Sequence, residues 1–288
     1  MPYYALQCPR NQLLQTDRSM SRIIHFSDLH LGLFSLAGGA CFDKRLLGAF
    51  NQLLRRRHRL DAARMRHVAE VFASYEADYY ICSGDLCGVG TPAEFALAQE
   101  LLAPILELAG DNFYYVPGNH DAYVKDPRCQ KALADCFYRL NRGRFQLDEL
   151  PLLQLNSELE IILGAACKPV PFYCSGAAYS QEQWLRLQAL LEQPRQKTFR
   201  ILVEHFPCLD ANGAALSWRR RLKQAEQLAQ AQLEGKFDLM LSGHIHRAYL
   251  LDRPRLCCAG SLSLYGSFAL IDFNQKEASI NCSLHQLD

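Results

Sequence analysis

Nine side chains able to bind metal or move protons fall in five short motifs along the chain: Asp28-Leu29-His30, Gly84-Asp85, Gly118-Asn119-His120-Asp121, His205 and Gly243-His244-Ile245-His246. Carboxylate, amide and imidazole without thiolate is a donor set for Mn²⁺, Fe, Co²⁺ or Zn²⁺ rather than for Ca²⁺ or a cysteine-rich structural zinc. Two such ions about 3.5–4 Å apart can clamp the attacking and leaving oxygens of a phosphoryl centre. An isolated Asp-x-His is a weak signal, most often a surface turn. Gly-Asn-His-Asp is sharper, because a polar tetrapeptide that abruptly ends an apolar run has little structural reason to exist. Five of the nine histidines lie in these motifs; His25, His58, His67 and His285 are assigned to core, surface or tail.

Each motif follows a run that reads as a strand. Arg22 to Phe26 delivers Asp28 and His30, Tyr79 to Cys82 delivers Asp85, and Phe113 to Val116 delivers Asn119. Phe199 to Val203 hands over to His205, and Phe237 to Leu241 to His244. Ligands at the carboxyl ends of successive strands converge on one sheet edge. Side chains two apart at a strand mouth point to one side, and Gly84 and Gly243 are expected to let the backbone turn sharply. Between the strands, residues 61–76, a helix opened by Thr91-Pro92 with a Thr91/Glu94 capping box, 128–140 and 181–193 read as helices. The pattern is α/β, a single domain over residues 21–288, with residues 1–20 expected to be a disordered leader.

A chain of 288 residues with 49% hydrophobic content can bury a full core. A net charge of +1 gives no case for nucleic-acid binding. The charge is unevenly placed: Lys44 to Arg59 is strongly basic with no acidic residue. Leu46, Leu47, Phe50, Leu53 and Leu54 within it fall at helical spacing on one face. Such a basic, apolar insert, at about residues 41–60, suits peripheral contact with an anionic membrane, and equally a packed helix with a solvated end. Twelve cysteines without a CxxC pair, several of them in apolar strands, fit reduced thiols in a cytoplasmic protein. No apolar run approaches the ~20 residues that span a bilayer.

The ordered motifs resemble the calcineurin-like metallophosphoesterase superfamily over residues 22–273. The resemblance implies a four-layer α/β/β/α sandwich and two divalent metals, Mn²⁺ first among the candidates. It implies that Asp28, His30 and His246 hold one metal, that Asp85 bridges, and that Asn119, His205 and His244 hold the other. His120 would contact the substrate phosphate and assist the leaving oxygen, with Asp121 orienting His120. The basic insert, Gly118 to Tyr123, the helix around Cys129–Leu140 and His205-Phe206-Pro207 are similar to the UDP-2,3-diacylglucosamine pyrophosphatases of the lipid A pathway, especially the LpxG-type branch. That implies a nucleotide-linked lipid as substrate, cleaved to lipid X and UMP at the inner face of the cytoplasmic membrane. The alternatives are a cyclic-nucleotide phosphodiesterase, which has no need of the insert, and a non-catalytic scaffold on the same fold.

Overall fold

Apolar, β-branched and aromatic runs form the expected strands, and the computed structural model describes them within residues 20–31, 60–171 and 173–287. The basic stretch Lys44–Arg59 and residues 1–19 lie outside the described residues. β1 (Met20–Phe26) pairs in parallel with β2 (Tyr79–Cys82), which pairs with β3 (Phe113–Tyr115). The chain closes with β10 (Ser267–Asn274) and β11 (Ser279–Gln286), giving a first sheet in the order β11-β10-β1-β2-β3. The second sheet contains β4 (Leu152–Gln154), β5 (Leu159–Leu163), β6 (Phe199–Val203), β7 (Leu239–Ser242), β8 (Ala248–Asp252) and β9 (Arg255–Ala259). Its order is β4-β5-β6-β7-β9-β8.

Period-two alternation explains the stacking of layers. Ile161, Leu163, Ile201, Val203, Leu239 and Leu241 share one core with Ile23, Ile81 and Phe273 of the first sheet. The intervening Ile162, Leu202 and Met240 join a second core with Leu187 and Leu191 of α4 (Gln181–Glu192) and Leu228 of α5 (Ala225–Leu233). On the far side of the first sheet, Phe72 of α1 (Ala62–Ser74) lies 5.4 Å from Phe26. It is joined there by α2 (Pro92–Ala109) and α3 (Pro127–Leu140). Helices, two sheets and helices make the expected four layers. The Thr91/Glu94 capping box is present, and α4 starts on a second one, between Ser180 and Gln183.

One stabilising device has no signal in the sequence pattern. Arg200 on β6 is buried against Glu160 on β5, Nε to Oε1 2.5 Å, and its Nη1 donates to the carbonyls of Leu190, Leu191 and Gln193 at the end of α4. It therefore satisfies carbonyls that the helix end leaves without partners.

Candidate metal centre

The loops after β1 and β2 run side by side. Asp28 N–H donates to Gly84 O at 2.9 Å, His30 N–H to Asp85 O at 2.9 Å and Leu31 N–H to Leu86 O. The loops after β6 and β7 are tied in the same way, Gly243 N–H donating to His205 O at 2.9 Å. These ties bring the expected motifs to one edge of the two sheets, but strand alternation is not what aims the side chains. Asp28, His30, Asp85, His244 and His246 all have left-handed backbones, with φ between 48° and 69°. Non-glycine residues rarely adopt that region, and where they cluster a functional constraint is the usual cause. Gly84 takes up a turn at φ 104° as expected. Gly243 has no left-handed backbone; it provides space, since a Cβ there would collide with Ser27 Oγ and Asp28 Oδ2.

Two groups of side chains result, with Asp85 between them. In the first, one ligand atom each from Asp28, His30, Asp85 and His246 lies within 4.8 Å of every other. His246 Nε2 is 3.1 Å and His30 Nε2 3.6 Å from Asp28 Oδ1, and the two imidazole Nε2 atoms are 2.9 Å apart. In the second, His244 Nδ1 is 2.8 Å from Asn119 Oδ1, and the His205 ring lies 5.3 Å from that of His244. Asp85 Oδ2 is 3.9 Å from His30 Nε2 and 3.5 Å from His205 Nε2, while Oδ1 accepts the His120 N–H at 2.8 Å.

The ring nitrogens are oriented by carbonyls, which can only accept. His205 Nδ1 donates to Ser83 O at 2.7 Å, His244 Nε2 to Arg220 O at 2.9 Å, and His30 Nδ1 faces Cys87 O at 3.4 Å. Each therefore turns its other nitrogen toward the cluster, as a lone pair when the ring is neutral. His244 Nδ1 then meets Asn119 Oδ1 acceptor to acceptor, an arrangement that a cation between them resolves. Asp28 Oδ1 and His205 Nε2 are buried without a hydrogen-bond partner. Buried polar atoms are rarely left so, and both point into the cluster. On these grounds the residues present fit a pair of divalent metals.

The electrostatics are those of a cation site. Burial favours the neutral acids, but the surrounding imidazoles hold Asp28 and Asp85 well below the usual carboxylate range. Burial opposes charge on His205 too, yet Asp85 and Asp28 raise it to about 10. Burial, with the His205 charge, pushes His244 down to about 3, and the Arg220 guanidinium adds to that effect. His25 is wholly buried as a packed histidine, Nε2 2.7 Å from Ser83 Oγ, and burial lowers it to about 3.

His120 stands beside the first group, its ring edge-on to His30 at 4.8 Å and stacked on Tyr123 at 5.1 Å. Asp121 does not orient the ring. His120 Nδ1 donates to Gly88 O at 2.6 Å, whereas the Asp121 carboxylate accepts Cys87 N–H and Gly118 N–H, each at 2.9 Å, and the Tyr115 hydroxyl at 2.8 Å. The expectation fails because the carboxylate points back under the loop, where two backbone donors and a phenol need an acceptor. Asp121 thus ties the Asp85 loop to the Asn119 loop.

Several supports escape the motif pattern. Ser27 donates to Asp28 Oδ2 at 2.6 Å, and Ser261 and Ser263 donate to Asp28 O at 2.8 and 3.0 Å. The Ser83, Cys87, Gly88 and Arg220 carbonyls carry no side-chain signal at all. Only Ser27, adjacent to its partner, could have been found by inspection.

The calcineurin-like phosphoesterase family model matches residues 21–248. No curated protein matches the chain. Among solved structures, the chain is similar to a dimetal phosphatase from Danio rerio, with 13% identity over 87% of this chain and 92% of that one and a TM-score of 0.60. It is also similar to a 5'-nucleotidase from Staphylococcus aureus, with 16% identity over 93% of this chain and 54% of that one and a TM-score of 0.57. The chain spans about half the length of that nucleotidase and of the NAD nucleotidase from Haemophilus influenzae, of which it covers 50% at 12% identity, 93% coverage of this chain and a TM-score of 0.50. With the family model covering well over half of its length, the chain belongs to the calcineurin-like phosphoesterase family.

Proposed function

We propose that the chain hydrolyses a phosphodiester or pyrophosphate bond, and that its substrate is UDP-2,3-diacylglucosamine, cleaved to lipid X and UMP. The observation that carries the hydrolytic reading is the shared carboxylate: Asp85 Oδ2 lies within 4 Å of imidazole nitrogens from both groups. Asp28, His30 and His246 would hold one metal, Asn119, His205 and His244 the other, and Asp85 both. When bound, the metals lower the pKa of water and neutralise phosphoryl charge. The protein's own groups supply the rest. Gly88 O accepts from His120 Nδ1 and so fixes the ring, which makes Nε2 the nitrogen that would bind a phosphoryl oxygen and give a proton to the leaving oxygen. Tyr123, stacked on that ring, limits its swing.

The lipid reading is supported by the basic, apolar stretch Lys44–Arg59, which the sequence places between the Asp28 and Asp85 motifs. Such a segment would let the enzyme meet an acyl-chain substrate at an anionic membrane face. No helix among the described residues is long and apolar enough to cross a membrane. The test is hydrolysis with Mn²⁺ of UDP-2,3-diacylglucosamine in detergent against cyclic AMP. Turnover of the lipid is expected. Turnover of cyclic AMP alone would replace this reading by that of a cyclic-nucleotide phosphodiesterase. Absence of bound metal and of turnover on any generic diester would make the chain a scaffold on the same fold.

A further inference from the structure

The turn Ser217–Leu222 presses against the metal centre from outside and carries an unusual set of side chains. Leu216 and Leu222 are buried at its ends, while Trp218, Arg219, Arg220 and Arg221 face solvent. Trp218, 62% exposed, is the most exposed large apolar side chain among the described residues, and its ring packs edge-on to that of Tyr173 at 6.4 Å. The backbone is held firmly. Arg219 O and Arg221 O accept the N–H groups of Ser175 and Ala177 at 2.8 and 3.2 Å, and Arg220 O accepts His244 Nε2 at 2.9 Å.

The three arginines differ in their engagements. The Arg219 guanidinium lies over the Trp218 ring, 5.2 Å from its centroid, and Arg221 pairs with Glu226 at 3.7 Å. Arg220 has no side-chain hydrogen bond or ion pair among the described residues, although it follows directly on the residue that supports Trp218 and its own carbonyl holds a candidate metal ligand. A membrane anchor would leave all three cations open to lipid. Here two are engaged within the protein, and the third, without a side-chain hydrogen bond or ion pair among the described residues, belongs to the residue whose carbonyl accepts from His244.

We propose that Arg220 and Trp218 form a second subsite for the half of the substrate that does not react. With the scissile phosphorus at the metal centre, the Arg220 guanidinium binds the neighbouring phosphoryl group and the Trp218 indole stacks on a planar base. Guanidinium suits phosphate through its rigid fork of donors, and an indole face accepts any base. The ligand class is a nucleoside diphosphate or a compound linked through one. This rests on the phosphoesterase reading above, and it distinguishes a pyrophosphate substrate from a simple diester, which has no second phosphoryl to bind.

The experiment is inhibition of bis(p-nitrophenyl) phosphate turnover by UDP, UMP and inorganic phosphate, with Mn²⁺ in excess over nucleotide, for the wild type, Arg220→Ala, Arg220→Lys and Trp218→Ala. UDP is expected to bind the wild type more tightly than UMP. In Arg220→Ala the inhibition constant for UDP should rise about 10–100-fold relative to that for phosphate in the same variant, the loss of a charge-assisted contact, with partial recovery in Arg220→Lys. Trp218→Ala should weaken both nucleotides about tenfold relative to phosphate. Equal weakening of UDP and phosphate would mean that Arg220 acts only through His244, and would overturn the proposal, as would no change. Vesicles of phosphatidylglycerol that bind the wild type but not these variants, with UDP inhibition unaltered, would overturn it in favour of membrane contact. If the wild type turns over no diester, the phosphoesterase reading fails separately, and calorimetry of UDP on the Mn²⁺-treated variants still decides the subsite.

Discussion

Asp121→Asn separates two roles for one carboxylate. The side chain accepts three hydrogen bonds, from Cys87 N–H, Gly118 N–H and the Tyr115 hydroxyl, at 2.8–2.9 Å and without solvent exposure. An amide of the same shape can keep its oxygen on the side of Tyr115 and Gly118, but its NH₂ then faces the Cys87 N–H. One buried donor is left unsatisfied, at about 1–3 kcal/mol, and two charge-assisted bonds become neutral ones, at roughly 1 kcal/mol more. A loss of about 2–4 kcal/mol corresponds to a fall of about 4–15 °C in Tm. Because the same bonds hold the Asp85 and Asn119 loops together, metal affinity should fall as well, by about 10–100-fold. Thermal unfolding of the metal-free protein and calorimetric Mn²⁺ titration measure the two effects, and the pH profile of kcat supplies the contrast. A variant with wild-type Tm and metal affinity but a displaced pH profile would refute the reasoning and restore Asp121 as the partner of the His120 ring.

His120→Ala should lower kcat by about 10²–10⁴-fold with Mn²⁺ binding retained, whereas Asp85→Ala and His244→Ala should abolish turnover and leave far-ultraviolet circular dichroism unchanged; wild-type turnover in His120→Ala would remove its assigned role. The His205 pKa, raised to about 10 in the metal-free protein, exceeds the unfolded value of about 6.5. Its contribution to stability is therefore complete below about 6.5 and lost as pH climbs through about 10. A metal must displace that proton, so loading at pH 7 should release about one proton from this site, read by calorimetry in two buffers of different ionisation enthalpy and lost in His205→Asn. Arg200→Met should cost about 3–5 kcal/mol by stranding Glu160 in the core, and Arg200→Met with Glu160→Leu should recover most of it; if the pair of changes is as harmful as the single one in urea unfolding, the carbonyl contacts to α4 matter more than the ion pair.

How much was legible follows from what period and punctuation encode. Strands β1, β2, β3, β6 and β7 are predominantly apolar runs, and α2 is announced by Thr91-Pro92 and Glu94, so their existence and approximate ends could be read directly. The hairpin of β8 and β9 and the helix α5 were not anticipated. Tyr249, Leu250 and Leu251 alternate poorly because β8 is an edge strand with one exposed face, and α5 starts without a side-chain cap at Gln224. At the centre the side-chain types were legible, because donor chemistry is a property of residues. Their aim was not. Alternation along a strand was the expected device, whereas Asp28 and His30 converge through left-handed backbones beyond the end of β1, a conformation that no residue type announces in Asp or His.

That difference explains why the centre is built between strands rather than on them. A pleated strand would place Asp28 and His30 on one face but leave their side chains parallel, about 7 Å apart, too far for two atoms of one coordination shell. Left-handed residues bend the chain so that Asp28 Oδ1 and His30 Nε2 come to 3.6 Å. Five such positions cost about 1–2 kcal/mol each, a sum comparable with the whole stability of a domain. Something must hold them, and the loop ties do so in pairs: Asp28 and His30 donate to the β2 loop, Gly243 to the His205 carbonyl, and His244 N–H to Asp28 Oδ2 at 3.0 Å. The last of these crosses between the sheets, so the Asp28 carboxylate serves the backbone with one oxygen and leaves the other, buried and without a hydrogen-bond partner, to the site and its imidazoles. The oxygen left to the site and the strained backbones are two expressions of one requirement, a cluster of donors held closer together than they would settle without a cation among them.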